Sequence, residues 1–409
     1  MSCDPALRAG AVLDIDLGAI AANWRLLAER TAPASCAAVV KADAYGLGAG
    51  PVARALAAAG CRLFFVATLD EGIALRRALG DGPEIAVLNG PFPGTEAEFA
   101  AHRLIPVLNH PGQIAEWARI DASLSGNRTA GVPPLAQASL ALTASGEALL
   151  RREPARRPKA GNLSRSPCPA ILHIDTGMAR LGLTQREFAA LVEDRPPIAW
   201  QAVISHLACA DQPDHPLNER QRACFRALTT QLPGIPASLA ASSGVFLGAA
   251  HHFDFVRPGA ALYGVNPLPG RPNALRPVVR LAAKIIQIRE IDSGESVGYG
   301  AAHVMEAPGR VATVAVGYAD GWLRALSRRG CGFIGGKRVP LLGRVSMDLC
   351  AFDVSAVPPA LASPGMAIEL LGPGYGVDEV AADAGTIGYE ILTALGSRYH
   401  RVYRDPPEG

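Results

Sequence analysis

The sequence predicts an α/β protein in which a (β/α)8 TIM-like barrel is followed by a mostly β C-terminal domain. Between about residues 17 and 265, short apolar runs alternate with amphipathic segments, a pattern typical of parallel strands separated by helices. After about residue 270 the apolar runs are separated by Gly and Pro instead, which is typical of antiparallel strands joined by turns. A chain of 409 residues is long enough to build both parts.

The barrel strands are predicted from apolar runs that are short, continuous and often β-branched, as in AAVVKAD and LFFVAT. Strands buried on both faces have this composition. A doubly wound open sheet is the alternative, but no G-x-G-x-x-G motif follows the first strand. The eight runs are residues 37–43, 62–68, 84–90, 104–109, 169–175, 198–207, 237–243 and 253–260.

Amphipathic segments between these runs predict the barrel helices. They include DEGIALRRAL, TQREFAALVED and NERQRACFRALTTQL, and LGAIAANWRLLAER predicts a helix before the first strand. Further strands are predicted in RLAAKIIQIREI, GRVATVAVGY, GKRVPLLGRVSMDLCAFDV and MAIELLG. We therefore assign residues 13–268 to the barrel and residues 269–409 to the β-rich domain. The N-terminal run AVLDIDL fits a strand of either domain, which leaves the assignment of residues 1–12 open.

One segment, at about residues 123–168, interrupts the repeat. Its length, its Pro, Gly and Ser content and its low aromatic content favour a solvated insertion. A nucleic-acid-binding arm is the less favoured alternative, because a short run of charges is usually a solvated face. The basic residues of the segment are Arg151, Arg152, Arg156, Arg157, Lys159 and Arg165.

The charge balance argues against nucleic acid and membranes as partners, since 39 Lys and Arg face 37 Asp and Glu. No basic region followed by an apolar run marks a secretory signal, and no stretch approaches the about 18 apolar residues of a membrane span. The eight cysteines form no C-x-x-C pair, which argues against a disulfide framework or a zinc site and favours reduced thiols. We expect a cytoplasmic protein without a metal.

Candidate functional residues follow from the barrel, because barrel enzymes place catalytic groups at the C-terminal ends of strands. Each candidate alone has a structural explanation, but five strand ends carrying such groups argue for a site. Lys41 follows Ala-Ala-Val-Val, and burial of its stem would lower the lysine pKa and favour Schiff-base chemistry. The candidates at the strand ends are Lys41, Asp175, His206, Ser243 and Arg257.

A phosphate site is predicted after the last two barrel strands. The loops there read Ser242-Ser243-Gly244 and Arg257-Pro258-Gly259-Ala260, and small side chains let backbone N–H groups approach an anion. A lysine at one strand end and a phosphate site elsewhere on the same rim suggest pyridoxal 5′-phosphate (PLP) as cofactor.

Eight motifs occur in order: VVKADAYGLG, HIDTGMARLG, SHLACAD, VRPGAALYG, SVGYG, VAVGYADGW, GRVSMDL and GTIGYE. On these motifs the chain resembles the PLP-dependent alanine racemases of the fold-type III barrel family, from about Leu13 to Tyr403 except for the insertion. The resemblance implies an enzyme that interconverts L-alanine and D-alanine and supplies D-alanine for peptidoglycan. It also implies a head-to-tail homodimer whose partner subunits share their active sites.

The resemblance implies a two-base mechanism, because a proton must leave one face of the substrate and return to the other. Lys41 would hold PLP and act as one base, and Tyr299 would be the other. A free phenol has a pKa of about 10, so Tyr299 needs help, which the family supplies through the residues matching His206 and Arg257. Arg257 would also keep the pyridine nitrogen of PLP unprotonated, because a guanidinium stays charged.

The resemblance assigns further residues to the cofactor and the substrate. Arg180 would contact both, the backbone N–H of Met347 would bind the substrate carboxylate beside Asp348, and Tyr318 would guard the substrate entrance. The residues implied for the cofactor are Lys41, Tyr45, Arg180, His206, Ser243, Arg257, Gly259, Ala260 and Tyr389.

Some positions depart from the common family pattern. Many members carry a carbamylated lysine where this chain has His173, and that lysine orients the arginine matching Arg180. A histidine cannot form this carbamate, so His173, an anion or a water takes over the role, or Arg180 is less constrained. Ser242, Leu47 and Ser346 replace a common Asn, a common His and a Cys found in some members.

Three alternatives remain open. A racemase of serine or of a broader set of amino acids is not excluded by the sequence, because pocket volume depends on geometry. A barrel decarboxylase of ornithine or diaminopimelate is disfavoured, since decarboxylases of this fold place a carboxylate at the pyridine nitrogen where this chain has Arg257. A non-catalytic PLP-binding protein is also disfavoured, because such relatives tend to lack a second domain with a residue like Tyr299.

Overall fold

The computed structural model describes residues 4–124 and 169–405, and these residues divide into two units. The first unit comprises Met1–Glu29, Ala38–Cys61 and Pro258–Gly409, and the second comprises Arg30–Ala37 and Arg62–Arg257. Most of the predicted insertion, from residue 125 to residue 168, lies outside the described residues. The boundary predicted between residues 268 and 269 stays a prediction.

The second unit contains parallel strands in the order of the sequence. Strands β4 to β9 pair with one another in succession, Ala241 forms a parallel bridge with Arg257, and β10 pairs in parallel with β2. This is the strand order of a (β/α)8 barrel. The strands are β2 Ser35–Cys36, β4 Leu63–Val66, β5 Glu84–Val87, β6 Ile105–Leu108, β7 Pro169–His173, β8 Ala199–Ile204, β9 Ala237–Ser238 and β10 Phe255–Val256.

Helices follow the strands as the amphipathic segments predict. Two of them begin with capping boxes, Thr68 with Glu71 and Thr184 with Glu187, in which side chains satisfy the first free N–H groups. The helices are α1 Pro5–Arg8, α2 Leu17–Thr31, α3 Ala49–Ala59, α4 Leu69–Leu79, α5 Glu96–Ala101, α6 Pro111–Leu124, α7 Gln185–Glu193, α8 Pro216–Thr229, α9 Val377–Ala384 and α10 Gly388–Ala394. Across the described ranges, no helix has both the length and the hydropathy that crossing a membrane requires.

The first unit contains a mostly antiparallel sheet in the order β14-β17-β16-β15-β18-β11-β1-β19, and β14 also pairs with β11. That extra pairing closes six strands into a ring, which leaves them without free edges. The strands of this unit are β1 Ala11–Asp16, β3 Ala38–Val39, β11 Val279–Ile291, β12 Ser296–Val297, β13 His303–Val304, β14 Gly309–Val314, β15 Cys331–Ile334, β16 Lys337–Leu342, β17 Cys350–Asp353, β18 Ala367–Leu371 and β19 His400–Arg404.

The N-terminal strand, which the sequence left open between two domains, lies in this β-rich sheet. Strand β1 pairs antiparallel with β11 and parallel with β19. Its residues alternate between buried and half-buried, and Leu13 and Ile15 are fully buried. The period-2 pattern of AVLDIDL thus matches a strand with one core face.

A half-buried carboxyl group lies at the start of β5. Gln201 Nε2 donates to Glu84 Oε1 at 2.6 Å, while Gln201 Oε1 is buried and has no partner among the described residues. Burial raises the pKa of Glu84 to about 6, against the opposing effects of the Gln201 hydrogen bond and of Arg76. The folded protein therefore holds a proton on Glu84 more tightly than the unfolded chain does.

We predict that Glu84→Gln stabilises the protein near pH 8 and not near pH 4.5. Because the folded pKa is raised, ionisation of Glu84 costs stability as the pH rises through the interval between 4.5 and about 6. The full cost is up to about 2 kcal/mol. The glutamine removes this cost, and its amide has an N–H for the unpartnered oxygen of Gln201. Calorimetric melting at both pH values checks this, with the exposed Glu193→Gln as control. An equal shift at both pH values would contradict it.

Candidate active site

Lys41 follows β3 at the start of a turn whose backbone is left-handed. The first strand was predicted over residues 37–43 but ends at Val39. The segment Lys41–Gly46 is instead a helical turn in which Ala42, Asp43, Ala44 and Tyr45 have φ between 53° and 56°. Each L-residue in this conformation costs about 1–2 kcal/mol. Such strain persists only where neighbouring structure fixes it, and it concentrates at functional sites. We call this segment the left-handed turn.

Tyr45, on the left-handed turn, is buried between two other tyrosine rings. Its ring centroid lies 4.8 Å from that of Tyr263 and 5.9 Å from that of Tyr389. Burial, followed by the neighbouring Tyr389, raises the pKa of Tyr45, while a hydrogen bond with the Ala260 backbone opposes this. The Tyr45 hydroxyl is therefore protonated at neutral pH and lies beside the Gly259-Ala260 loop.

The Gly259-Ala260 loop approaches Tyr45 so closely that a side chain would not fit. A Cβ atom at Gly259 would lie 2.4 Å from Tyr45 Oη, well inside van der Waals contact. In the first unit the structure thus brings together four of the residues predicted for the cofactor: Tyr45, Gly259, Ala260 and Tyr389.

Arg257 is a buried cation in the second unit, directly after β10. Its Nη1 donates to the carbonyl and the hydroxyl of Ser238 at 2.8 and 2.5 Å, and its Nη2 donates to the Ser205 carbonyl at 2.6 Å. No described carboxylate lies within ion-pair distance of it. Burial lowers the pKa of Arg257 to about 9, so the group stays charged at neutral pH. Within the described ranges, Arg257 is therefore bonded to neutral oxygens and not to a carboxylate.

Ser243 lies beyond the strand that was predicted to end with it. Strand β9 ends at Ser238, and Ser243 begins the short 3-10 helix Ser243–Leu247. The Arg257 N–H donates to the Ala240 carbonyl at 2.9 Å, so the chain segments before Ser243 and at Arg257 run side by side.

His206 follows β8 and is half-buried. Its carbonyl accepts a hydrogen bond from Gln221 Nε2 at 2.9 Å, and the same amide nitrogen reaches Thr176 Oγ1 at 3.3 Å. Gln221 Oε1 accepts the Ala208 N–H at 2.8 Å. This fully buried glutamine fixes the loops after β7 and β8, and no sequence pattern singled it out.

Asp175 caps the loop after β7. Its Oδ1 accepts the N–H groups of Gly177 and Met178 at 3.0 and 2.8 Å, and its Oδ2 accepts that of Ala179 at 2.9 Å. Both oxygens of the Asp175 carboxylate thus accept hydrogen bonds from backbone N–H groups of the loop. Asp175 therefore shapes the turn that presents the exposed Arg180.

His173, at the position where the resemblance implies a lysine in many family members, is hydrogen-bonded to Asn109. The two N–H groups of the Asn109 amide donate to the carbonyls of Leu88 and Val107, each at 3.0 Å. Asn109 Oδ1 must then accept from His173 Nδ1, at 2.7 Å. With Nδ1 protonated, Nε2 of a neutral imidazole is an acceptor.

The surroundings keep His173 neutral. Burial, then the positive charge of Arg257, and to a smaller extent that of Arg180, lower the pKa of His173 to about 4, against an opposing effect of Asp175. The imidazole therefore offers an acceptor nitrogen near two cations instead of adding a third charge.

We predict that His173 makes the protein sensitive to acid. Its folded pKa is depressed, so the stability present above about pH 6.5 is lost as the pH falls towards 4, by about 3 kcal/mol in total. His173→Gln keeps an N–H for Asn109 and does not titrate. The melting temperature of this variant should fall less between about pH 7 and pH 5 than that of the wild type. The half-buried His400→Gln is the control, and an unchanged acid response in His173→Gln would refute the assignment.

Three residues assigned to the substrate or the second base are exposed in the first unit. The exposed fractions are 72% for Tyr299, 43% for Tyr318 and 54% for Met347. Tyr299 begins the 3-10 helix Tyr299–Ala301. Aromatic side chains this exposed are rarely packing residues, so Tyr299 and Tyr318 are not core aromatics within a single chain.

Arg398 ties together the two loops that carry Tyr318 and Met347. It donates to both carboxylate oxygens of the buried Asp320, at 2.6 and 2.7 Å, and to Asp348 at 2.7 Å. Backbone bonds run from the Tyr318 N–H to the Ser346 carbonyl at 3.0 Å and from Ala319 to Met347 at 2.9 Å. Sequence reasoning missed Arg398, because Asp320 lies 78 positions away.

Comparisons with known proteins agree along the whole chain. Residues 15–267 match the model of the alanine racemase N-terminal domain, and residues 278–403 match that of the alanine racemase C-terminal domain. An alanine racemase of Rhodospirillum rubrum is 49% identical, with 98% of each chain covered. A catabolic alanine racemase of Mesorhizobium japonicum is 46% identical, with 97% of this chain and 93% of the relative covered.

A solved structure is similar as well. The alanine racemase of Bartonella henselae with covalently bound pyridoxal phosphate superposes with a TM-score of 0.84 at 37% identity, covering 97% of this chain and 100% of that one. The likeness to this structure confirms the predicted α/β class with a β-rich C-terminal part.

Proposed function

This chain belongs to the alanine racemase family, and we propose that it interconverts L-alanine and D-alanine with PLP as cofactor and two bases, Lys41 and Tyr299. The observation that supports the proposal most directly is the left-handed turn. It carries Lys41 at its start and the buried Tyr45 beside Gly259 and Ala260. Only an assay with several amino acids distinguishes an alanine racemase from a racemase of serine or of several amino acids.

The residues fit PLP. Because Gly259 has no side chain, the Tyr45 hydroxyl lies close to the backbone of the Gly259-Ala260 loop, and the protonated Tyr45 hydroxyl is a donor for an anion there. We assign the phosphate to Tyr45, Ser243, Gly259, Ala260 and Tyr389. When bound, PLP delocalises the negative charge that develops as the α-proton of the amino acid leaves.

Arg257 suits the pyridine nitrogen of the cofactor. Its guanidinium is buried, charged and bonded only to neutral oxygens of serines among the described residues. A permanent donor at that position would keep the ring nitrogen unprotonated, whereas a barrel decarboxylase requires a carboxylate there. His206 and Arg257 would together support the tyrosine base.

Lys41 and Tyr299 move the proton. In one direction the Lys41 amine takes the α-proton while the Tyr299 hydroxyl supplies one to the opposite face, and in the other direction the roles exchange. Arg180 and the Met347 N–H would orient the substrate carboxylate, beside Asp348 and behind Tyr318. His173 would orient Arg180 by offering its Nε2 as acceptor, without a carbamate.

We include a homodimer in the proposal. Tyr299, Tyr318 and Met347 are exposed in one chain, and a second copy would cover them if each chain lends these residues to the site of its partner. A cytoplasmic location is also proposed. Its support is that four cysteines of the described ranges, Cys209, Cys224, Cys331 and Cys350, are free thiols, as in reducing compartments.

The first experiment follows the circular dichroism of L-alanine with purified protein and PLP. We expect the ellipticity to decay to zero while the alanine concentration stays constant. Lys41→Ala should abolish both this decay and the absorbance of covalently held cofactor, because no other amine is assigned to hold it. A flat trace with wild-type protein that binds PLP would refute alanine as substrate, and serine would be tried next.

We predict that Tyr299→Phe binds PLP normally and loses activity asymmetrically. Without the phenol hydroxyl one face of the substrate lacks its base, so exchange of the α-proton with D2O should slow by about 100-fold or more for one enantiomer only. Nuclear magnetic resonance of each enantiomer in D2O measures this. Near-normal exchange of both enantiomers would remove Tyr299 from the mechanism.

Mixing the two inactive variants tests whether sites are shared. If Lys41 of one subunit works with Tyr299 of its partner, a mixed dimer of Lys41→Ala and Tyr299→Phe contains one intact site. Random exchange of subunits should restore about a quarter of the wild-type activity. No recovery after confirmed subunit exchange would mean that each chain completes its own site.

A further inference from the structure

The left-handed turn needs restraint from outside itself. Its own hydrogen bonds include the Ala44 N–H to the Val40 carbonyl at 2.9 Å and the Gly48 N–H to the Asp43 carbonyl at 2.8 Å. The Asp43 side chain adds a bond from the Ala49 N–H at 2.7 Å. Four consecutive non-glycine residues in this conformation are nevertheless unfavourable, so the contacts at the end of the turn decide whether it holds its shape.

Strand β19, near the C-terminus, supplies contacts at that end. Arg401 Nη2 donates to the Gly46 carbonyl at 2.8 Å, and Tyr403 Oη donates to the Leu47 carbonyl at 3.1 Å. The fit is close, because a Cβ atom at Gly48 would lie 2.1 Å from Tyr403 Oη. The two carbonyls directly after the left-handed residues are thus both held by side chains of one strand.

The strand itself is firmly placed. Arg401 and Tyr403 lie two positions apart, so their side chains leave the same face of β19. The strand pairs in parallel with β1, with Arg401 opposite Leu13 and Tyr403 opposite Ile15. Leu13 and Ile15 are completely buried, so the backbone that carries the two donors is anchored in the core of the first unit.

We propose that Arg401 and Tyr403 are positioning residues that hold the left-handed turn, and through it Lys41 and Tyr45, in the geometry that binds the cofactor. Neither side chain takes part in the proton transfers proposed above. The identity of the cofactor rests on the proposed function, whereas the restraint of the turn does not.

The test uses Tyr403→Phe, which removes one hydroxyl, and the pair Arg401→Met and Arg401→Lys. Tyr399→Phe is a matched control, since Tyr399 Oη is buried but has no partner in the described part of the chain. Arg404→Gln is the second control, since Arg404 bonds to Asp14. For each protein, amide hydrogen exchange of the 41–49 peptide, the dissociation constant of PLP and the melting temperature are measured.

We expect faster exchange in the 41–49 peptide of Tyr403→Phe, without change in the peptides of strands β11 and β18. PLP should bind about fivefold more weakly, the factor of one ordinary hydrogen bond. Arg401→Met should weaken PLP binding further, and Arg401→Lys should recover part of that affinity. Both controls should bind PLP as the wild type does. If Arg401→Met fails to fold, Tyr403→Phe and Arg401→Lys decide the matter.

The proposal is overturned if Tyr403→Phe and Arg401→Lys show the same amide exchange in the 41–49 peptide and the same PLP affinity as the wild type. Equal acceleration of exchange across all peptides of the first unit would also overturn it, because that indicates general loosening. If the wild type binds PLP but does not racemise alanine, the proposed function fails, while the exchange data still judge the two positioning residues.

Discussion

The left-handed turn after β3 is the constraint on which the rest of the first unit depends. Ala42 to Tyr45 adopt a conformation that L-residues avoid, and elements distant in sequence meet to stabilise it. Helix α10 approaches so closely that a Cβ at Gly46 would lie 2.5 Å from the Leu392 carbonyl, and strand β19 binds the two carbonyls that follow. Strand β1 also contributes to the stability of the turn, because it pairs with β19 and so fixes the strand that carries Arg401 and Tyr403.

In the second unit the main constraint is electrostatic: a positive charge is buried in its interior without a carboxylate partner among the described residues. Arg257 is surrounded by carbonyl and hydroxyl oxygens, and His173 stays neutral because burial and nearby cations disfavour its charged form. Asn109 fixes which imidazole nitrogen carries the proton. The fixed tautomer leaves Nε2 of His173 as an acceptor near Arg180, at a position where the resemblance implies a lysine in many family members.

Much of this was predictable from the sequence, and the exceptions have physical reasons. Seven of the eight parallel strands of the second unit lie within predicted apolar runs, because burial on both faces requires such runs, whereas β2 precedes the first run. The left-handed turn was not predicted, since Ala-Asp-Ala-Tyr contains no glycine to signal it. The bonds of Arg398 to Asp320 and of His173 to Asn109 join residues 78 and 64 positions apart, and no local pattern encodes such pairs. The roles proposed for the site residues rest on the resemblance and stay proposals.

If PLP binds beside Arg257 as proposed, the buried charge of this residue links cofactor supply to the lifetime of the protein in the cell. Removing a guanidinium from water is costly, and neutral oxygens offset only part of that cost. An anionic molecule that binds nearby to the folded state alone raises the population of that state by mass action. Freshly synthesised chains would therefore be degraded faster while PLP is scarce, because proteases act on transiently opened molecules. Vitamin B6 supply would then set how much of this protein accumulates as well as how much of it is active.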